Sequence, residues 1–249
     1  MKTQIILRKV HYAFSAFLCT ACLVSCNDWL KPEPLSFYSP ENTYVTKEGL
    51  EGALVSCRAM IRPEFIGNNS YACTELMTSD VAVAGNIVAQ TLKNFEIQLK
   101  PGAYGDSQIG TFWSKGYSAI QKANTIISRV QAADEITEND KNTILAEGYF
   151  HRSYWYYKLV NQFGDVPFID KEVTTPKLDF YSHTRSSILK RLREDMMFAT
   201  RYLPESAPHG AVSKAAGNHL LAKICLACCD FDGAVAATTA VIDRMPNII

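Results

Sequence analysis

Residues 145–168 read LAEGYFHRSYWYYKLVNQFGDVPF. Tyr149, Phe150, Tyr154, Trp155 and Tyr156 crowd into two turns, and Tyr157 and Phe163 follow. Leu145, Tyr149, Tyr156, Leu159, Val160 and Phe163 recur at spacings of three, four and seven. With 3.6 residues per turn, that spacing puts them on one stripe of a core-facing helix. Gly164 offers a left-handed C-cap, and Pro167 forbids further helix. So many large aromatics on one helix read as core, because burying them removes the most apolar surface from water.

The neighbouring segments read as helices too. Thr137 with Asp140 three residues on forms a loose capping box in front of this helix. Upstream, Trp113, Tyr117, Ile120 and Ile127 lie on adjacent turns of a helix that carries Asn124, whose side chain is placed to bond backbone. Further upstream, Ser39-Pro40 and Thr46 are two helix starts. Leu50, Ala53, Leu54, Cys57 and Ile61 form an apolar face that Pro63 ends, and 71–77 reads as a short helix. Downstream, Val173-Thr-Thr-Pro176 makes 169–182 an extended connection. His183-Thr184 then opens an amphipathic helix with Ile188, Leu192, Met196 and Leu203 on one face, stopped by Pro204. Ala222, Ala234 and Pro246 stand twelve apart. That is the small–small–proline rhythm of one tetratricopeptide (TPR) unit, in which small side chains let paired helices approach closely.

Ala146-Glu147, Phe150, Arg152, Tyr156, Leu159-Val160, Phe163 and Gly164-Asp165-Val166-Pro167 resemble the signature helix of the SusD/RagB family. Gly148 and His151 depart from it, where a small non-glycine residue and an aliphatic are usual. Trp113, Tyr117, Ile120 and Ala123-Asn124, the Leu203-Pro204 stop, and Gly210 with Ser213-Lys214 and Ala216 are similar to further family elements, with Ala211 in place of the common arginine. The resemblance runs from Cys26 to about Pro246 and covers the N-terminal half of the family. It implies an all-α fold of TPR-like paired helices with long loop insertions, a SusD-like α-α superhelix. It also implies a cell-surface lipoprotein that binds nutrient oligosaccharide and passes it to a TonB-dependent β-barrel of the outer membrane. Alternatives are a peptide-binding RagB-like member, a TPR-type protein-interaction scaffold, or a truncated fragment without function. If the second half of such a superhelix is missing, a helix face should be left exposed and apolar.

The N-terminus fits a lipoprotein. Lys2, Arg8 and Lys9 precede a mostly apolar stretch, Val10 to Val24, too short to span a bilayer, which needs roughly 20 apolar residues. Leu23-Val-Ser-Cys26 then reads as a lipobox, making Cys26 the acylated residue. The expected organisation is a signal peptide at 1–25, a tether with Pro32 and Pro34 at 26–40, and a helical domain at 41–249.

Candidate ligand residues come from 79–111, where Gly85, Pro101, Gly102, Gly105 and Gly110 interrupt helical periodicity. Loops on a rigid scaffold are where binding concentrates. Asp80, Asn86, Asn94, Phe95 and Tyr104 have the chemistry for sugars: aromatic faces for C–H surfaces, and carboxylate or amide groups for hydroxyls.

Charge and motifs bound the function. The chain has 25 basic and 25 acidic residues, and residues 1–25 hold three of the former and none of the latter. No basic surplus points to nucleic acid. No His-Glu-x-x-His, Gly-x-Ser-x-Gly or phosphate loop occurs, and no catalytic role falls to any histidine. Glu194 and Asp195 are adjacent, diverge on a helix, and read as a solvated pair rather than an acid/base pair. Cys225 and Cys228 have metal-like spacing without further ligands and read as core within a helix. No enzyme activity, metal or cofactor is expected.

Overall fold

The computed structural model describes residues 43–65, 108–133, 136–208 and 210–243. These form six α-helices and one pair of two-residue strands. The order is α1 (Lys47–Phe65), α2 (Gln108–Arg129) with a 3-10 turn (Val130–Ala132), and α3 (Glu138–Phe163). Then come β1 (Val166–Pro167), β2 (Ser182–His183), α4 (Arg185–Tyr202), α5 (Lys214–Ala227) and α6 (Phe231–Ile242). The strands pair antiparallel, Val166 opposite His183. Each helix from α3 on packs against the next, α2 packs on α3, and α1 lies across α2 and α3. This is the expected TPR-like succession of paired helices.

The caps explain the boundaries. The Thr137, Thr184, Ser213 and Asp230 side chains accept hydrogen bonds from the amides of Asp140, Ser187, Ala216 and Gly233. Thr137 also donates to the Asp140 carboxylate at 2.9 Å, tightening the first turn of α3. Gly164 has φ +75° and ψ −119°, and its amide donates to the Val160 carbonyl. The φ sign is the expected one, although ψ lies away from the left-handed helical region.

Four expectations change. α3 is buried around most of its circumference rather than along one stripe: Trp155, outside the stripe, is fully buried, as are Arg152 and Ser153. It is the central helix, covered by α2 on one side and α4 on another. α1 continues past Pro63 to Phe65. Buried Glu64, which accepts from the Tyr154 hydroxyl and pairs with the Lys158 ammonium, ties that last turn to α3. Residues 108–111, placed with the loop, are the first turn of α2. Cys225 is core, but Cys228 is the C-cap of α5 and Cys229 has φ +60° in the turn to α6, so the cysteine run leaves the helix. The start at Ser39-Pro40, the segment 71–77 and Pro246 lie outside the described residues.

Two core clusters result. The larger joins α2 to α6 around Trp155, Tyr156, Leu159, Leu189, Leu192 and Ile224. The smaller joins α1, α2 and α3 around Leu50, Leu54, Ile126 and Ile144. Tyr149 and Phe198, in edge-on contact at 5.5 Å, border both. Ala222 of α5 and Ala234 of α6 are buried, as the TPR rhythm requires.

Candidate functional site

The family-like residues of α3 converge on the backbone that follows it. Arg152, 1% exposed, donates to the Asp195 carboxylate at 2.6 Å, to the Asp170 carbonyl at 2.9 Å and to the Asn124 side chain at 3.2 Å. Asn124 in turn donates to the Ile169 carbonyl at 2.7 Å, the backbone role expected of it. The Tyr156 hydroxyl accepts from the Ile169 amide at 2.6 Å, and the Tyr117 hydroxyl donates to the Pro167 carbonyl at 2.8 Å. Burial pushes the Tyr117 and Tyr156 pKa values well above the ordinary range, for Tyr156 against the pull of the Ile169 amide and Arg152, so both stay protonated. Asp165 accepts from the Arg185 amide at 2.8 Å, linking the Gly-Asp-Val-Pro turn to the start of α4.

These bonds lash residues 167–172 across α2 and α3. Beyond them, Arg129 grips Glu172 in a bidentate pair at 2.8 and 3.0 Å, and Ser128 accepts from the Glu172 amide. The chain then runs extended to β2 with Leu178 and Tyr181 almost wholly in solvent. This strap and the outer face of α2 enclose a groove of about 540 Å³. Ser114, Tyr117, Ser118 and Gln121 line one wall, and Lys171, Thr174, Thr175, Lys177 and Phe180 the other. A smaller cavity of about 290 Å³ shares Ser118 and Gln121 with it and extends to Tyr44, Ser56, Lys122 and Thr125.

Asp195 corrects the sequence expectation. It is 4% exposed and paired with Arg152, whereas Glu194 is exposed. Burial raises the Asp195 carboxyl above its ordinary value, against the pull of Arg152. A second cluster joins α1 to α3: Glu147 accepts two bonds from Arg58 and sits 3.4 Å from His151. Burial alone would raise its pKa, but the hydrogen bonds from His151 and Arg58 outweigh that and hold it below the ordinary range.

The expected ligand residues Asp80, Asn86, Asn94, Phe95 and Tyr104, and the acylation residue Cys26, lie outside the described residues. The groove was not anticipated. Its strap was legible as an extended segment, but its distance from α2 is set by Asn124, Arg129 and Arg152, whose partners lie 18 to 45 residues away. No group of three or more potential metal ligands occurs among the described residues, and no described helix is long and apolar enough to cross a membrane.

Comparison with known proteins bears on the whole arrangement. The model of a SusD-like family, described as starch-binding and associating with the outer membrane, matches residues 50–226. SusD-like protein P2 of Formosa agariphila is 29% identical over 243 residues, covering 96% of this chain and 47% of that protein. A second SusD-like protein of the same organism is 25% identical over 234 residues, covering 90% and 43%. The chain thus spans a little under half the length of these relatives. Among solved structures, a SusD-like protein from Bacteroides fragilis is similar at a TM-score of 0.68 and 19% identity, over 85% of this chain and 41% of that one. A laminarin-binding SusD-like protein is similar at a TM-score of 0.67 and 22% identity, over 78% and 42%. The shared fold agrees with the family match, which takes in α2, α3 and the strap that α3's arginine holds: the chain belongs to the SusD/RagB family of SusD-like proteins.

Proposed function

We propose that this chain serves in a cell-surface lipoprotein that captures nutrient oligosaccharide and passes it, without chemistry, to a TonB-dependent outer-membrane barrel. The match of residues 50–226 to a starch-binding, outer-membrane-associated family carries this reading. The chain's structural similarity to a laminarin-binding SusD-like protein and to a surface glycan-binding protein of Bacteroides uniformis supports it. Cys26 would be acylated, and several acyl chains on one residue hold a protein on a bilayer where one would not. Asp80, Asn86, Asn94, Phe95 and Tyr104 would contribute contacts to the sugar.

Purification of the acylated protein from its own outer membrane in mild detergent tests the transport role. A stoichiometric TonB-dependent barrel is expected to accompany it, and its absence from a correctly acylated preparation would overturn the hand-off. Calorimetry with maltohexaose and laminarihexaose tests capture, and Phe95→Ala and Tyr104→Ala are expected to weaken binding about tenfold each through lost stacking.

A protein-interaction scaffold is the second reading, favoured by one observation. The outer face of α6 exposes Phe231, Val235 and Ile242, with Leu226 of α5 beside them. A barrel that co-purifies in the absence of any glycan affinity would support the scaffold.

A further inference from the structure

The two cavities along α2 adjoin at Ser118 and Gln121, exposed residues of the helix that line both, so a chain-like ligand can span them. Ser114, Ser118 and Gln121 recur at spacings of four and three, which sets their exposed polar ends in a row along the helix. An aromatic ring lines each cavity: Phe180 on the strap, and Tyr44 ahead of α1. The strap wall adds the hydroxyls of Thr174 and Thr175. Two adjoining open cavities, each with a ring face and with hydroxyl and amide groups between them, suit a chain of sugar rings better than a compact ligand.

The charge of the lining is one-sided. Lys122, Lys171 and Lys177 contribute to the linings, and among the described residues no aspartate or glutamate lines either cavity. Lys177 has a marginal pair with exposed Asp179 at 4.0 Å and lies over the Phe180 ring. Lys122 and Lys171 have no ion-pair partner among the described residues. The polar groups that build the strap are spent: Asn124 on Ile169 and Arg152, Tyr117 on Pro167, and Arg129 on Glu172. What stays available to a ligand is hydroxyl, amide and ammonium, which is a donor-rich, cationic surface.

We propose that the two adjoining cavities along α2, the groove under the 169–182 strap and the smaller one toward α1, are a binding subsite for an anionic oligosaccharide, one whose rings bear carboxylate or sulfate groups, with Lys171 in the first and Lys122 in the second as charge contacts. This rests on the glycan-capture reading and adds to it a substrate class and a set of lining residues.

Calorimetry on the full chain with hexagalacturonate and with a sulfated galactan hexasaccharide tests it, with maltohexaose and laminarihexaose as neutral controls. At least one anionic ligand is expected to bind, and the pair identifies carboxylate or sulfate as the recognised group. Lys122→Glu and Lys171→Glu are each expected to weaken that binding about tenfold, as reversing one charge in a solvated groove does, and added salt should weaken the parent protein in the same way. Neutral binding should be unmoved by either lysine variant. Both lysines are exposed, so the variants should melt with the parent. Ser118→Trp provides a second, steric readout by placing a bulky side chain between the two cavities, and should abolish anionic binding without altering the fold. Neutral ligands that bind while anionic ones do not would overturn the subsite and leave glycan capture standing. Binding to no oligosaccharide would overturn both. Anionic binding indifferent to all three substitutions would place the ligand elsewhere and overturn the subsite.

Discussion

Arg152 and Asp195 show what a buried ion pair does in this fold. Both are withdrawn from water, and the arginine has two further acceptors in Asp170 and Asn124, so its charge is hydrogen-bonded on several sides. Removing the carboxylate alone would strand a guanidinium at 1% exposure. Asp195→Ala is therefore expected to destabilise the protein by about 3–5 kcal/mol, read from urea unfolding. A loss under about 1 kcal/mol would mean that the Asn124 and Asp170 acceptors, with solvent, suffice for the guanidinium. Glu147 makes a pH-dependent counterpart. Its folded pKa lies below the unfolded value, so its contribution is complete above about pH 4.5 and fades as pH falls through the folded value. Glu147→Gln should lower Tm at pH 7, and its Tm should fall less than that of the parent between pH 5 and pH 3, because the titrating group is gone. Parallel Tm curves would assign the acid sensitivity to other carboxylates. Neither cluster was visible as such in the sequence. Asp195 beside Glu194 looks like any polar pair on a helix face, and the partner that buries it is 43 residues away.

At the scale of elements, caps and breakers were legible because they act locally. Thr137, Thr184 and Ser213 each accept from an amide three residues on, and Gly164 has the positive φ that its place after α3 demanded. Nothing lies within 4 Å of a Cβ built on Gly164, so a side chain there would meet only backbone strain. Gly164→Ala is expected to cost about 1–3 kcal/mol in thermal or urea unfolding, and an unchanged Tm would mean the turn relaxes freely. Gly148 is different: a Cβ there would come within 3.1 Å of Ile127 on α2, so this departure from the family pattern accompanies a close helix approach. Where tertiary contacts overrode local signals, sequence reading failed. Pro63 did not end α1 because Glu64 is anchored to α3, and the Cys225–Cys229 run crosses a helix end instead of lying inside one. The strap depends on such distant contacts throughout. Arg129→Met should release Glu172 and speed tryptic cleavage after Lys171 and Lys177, with little change in Tm because the pair lies at the rim of the core. Cleavage as slow as in the parent would show that Asn124 and Arg152 hold the strap without help.

For the whole molecule, α6 poses the remaining physical question. Its inner face carries Ala234 and Ala237 against α5, yet its outer face repeats apolar residues at Phe231, Val235 and Ile242, on adjacent turns. A helix apolar on both sides is one that expects neighbours on both sides. TPR-like units bury their faces by stacking, and a unit with a neighbour on one side only leaves the other side open. Phe231 and Val235 are about two-thirds exposed. Such a face should bind a hydrophobic dye and promote self-association when this chain is alone in solution. We expect ANS fluorescence and a concentration-dependent sedimentation coefficient from the parent. Both should fall toward those of a compact monomer in the double variant Phe231→Glu and Val235→Lys, with far-UV helicity unchanged because both side chains point away from the core. A parent protein that is ANS-silent and monomeric at high concentration would show that α6 is content with solvent, and would remove the one observation that favours a protein-docking role for this end of the helix stack.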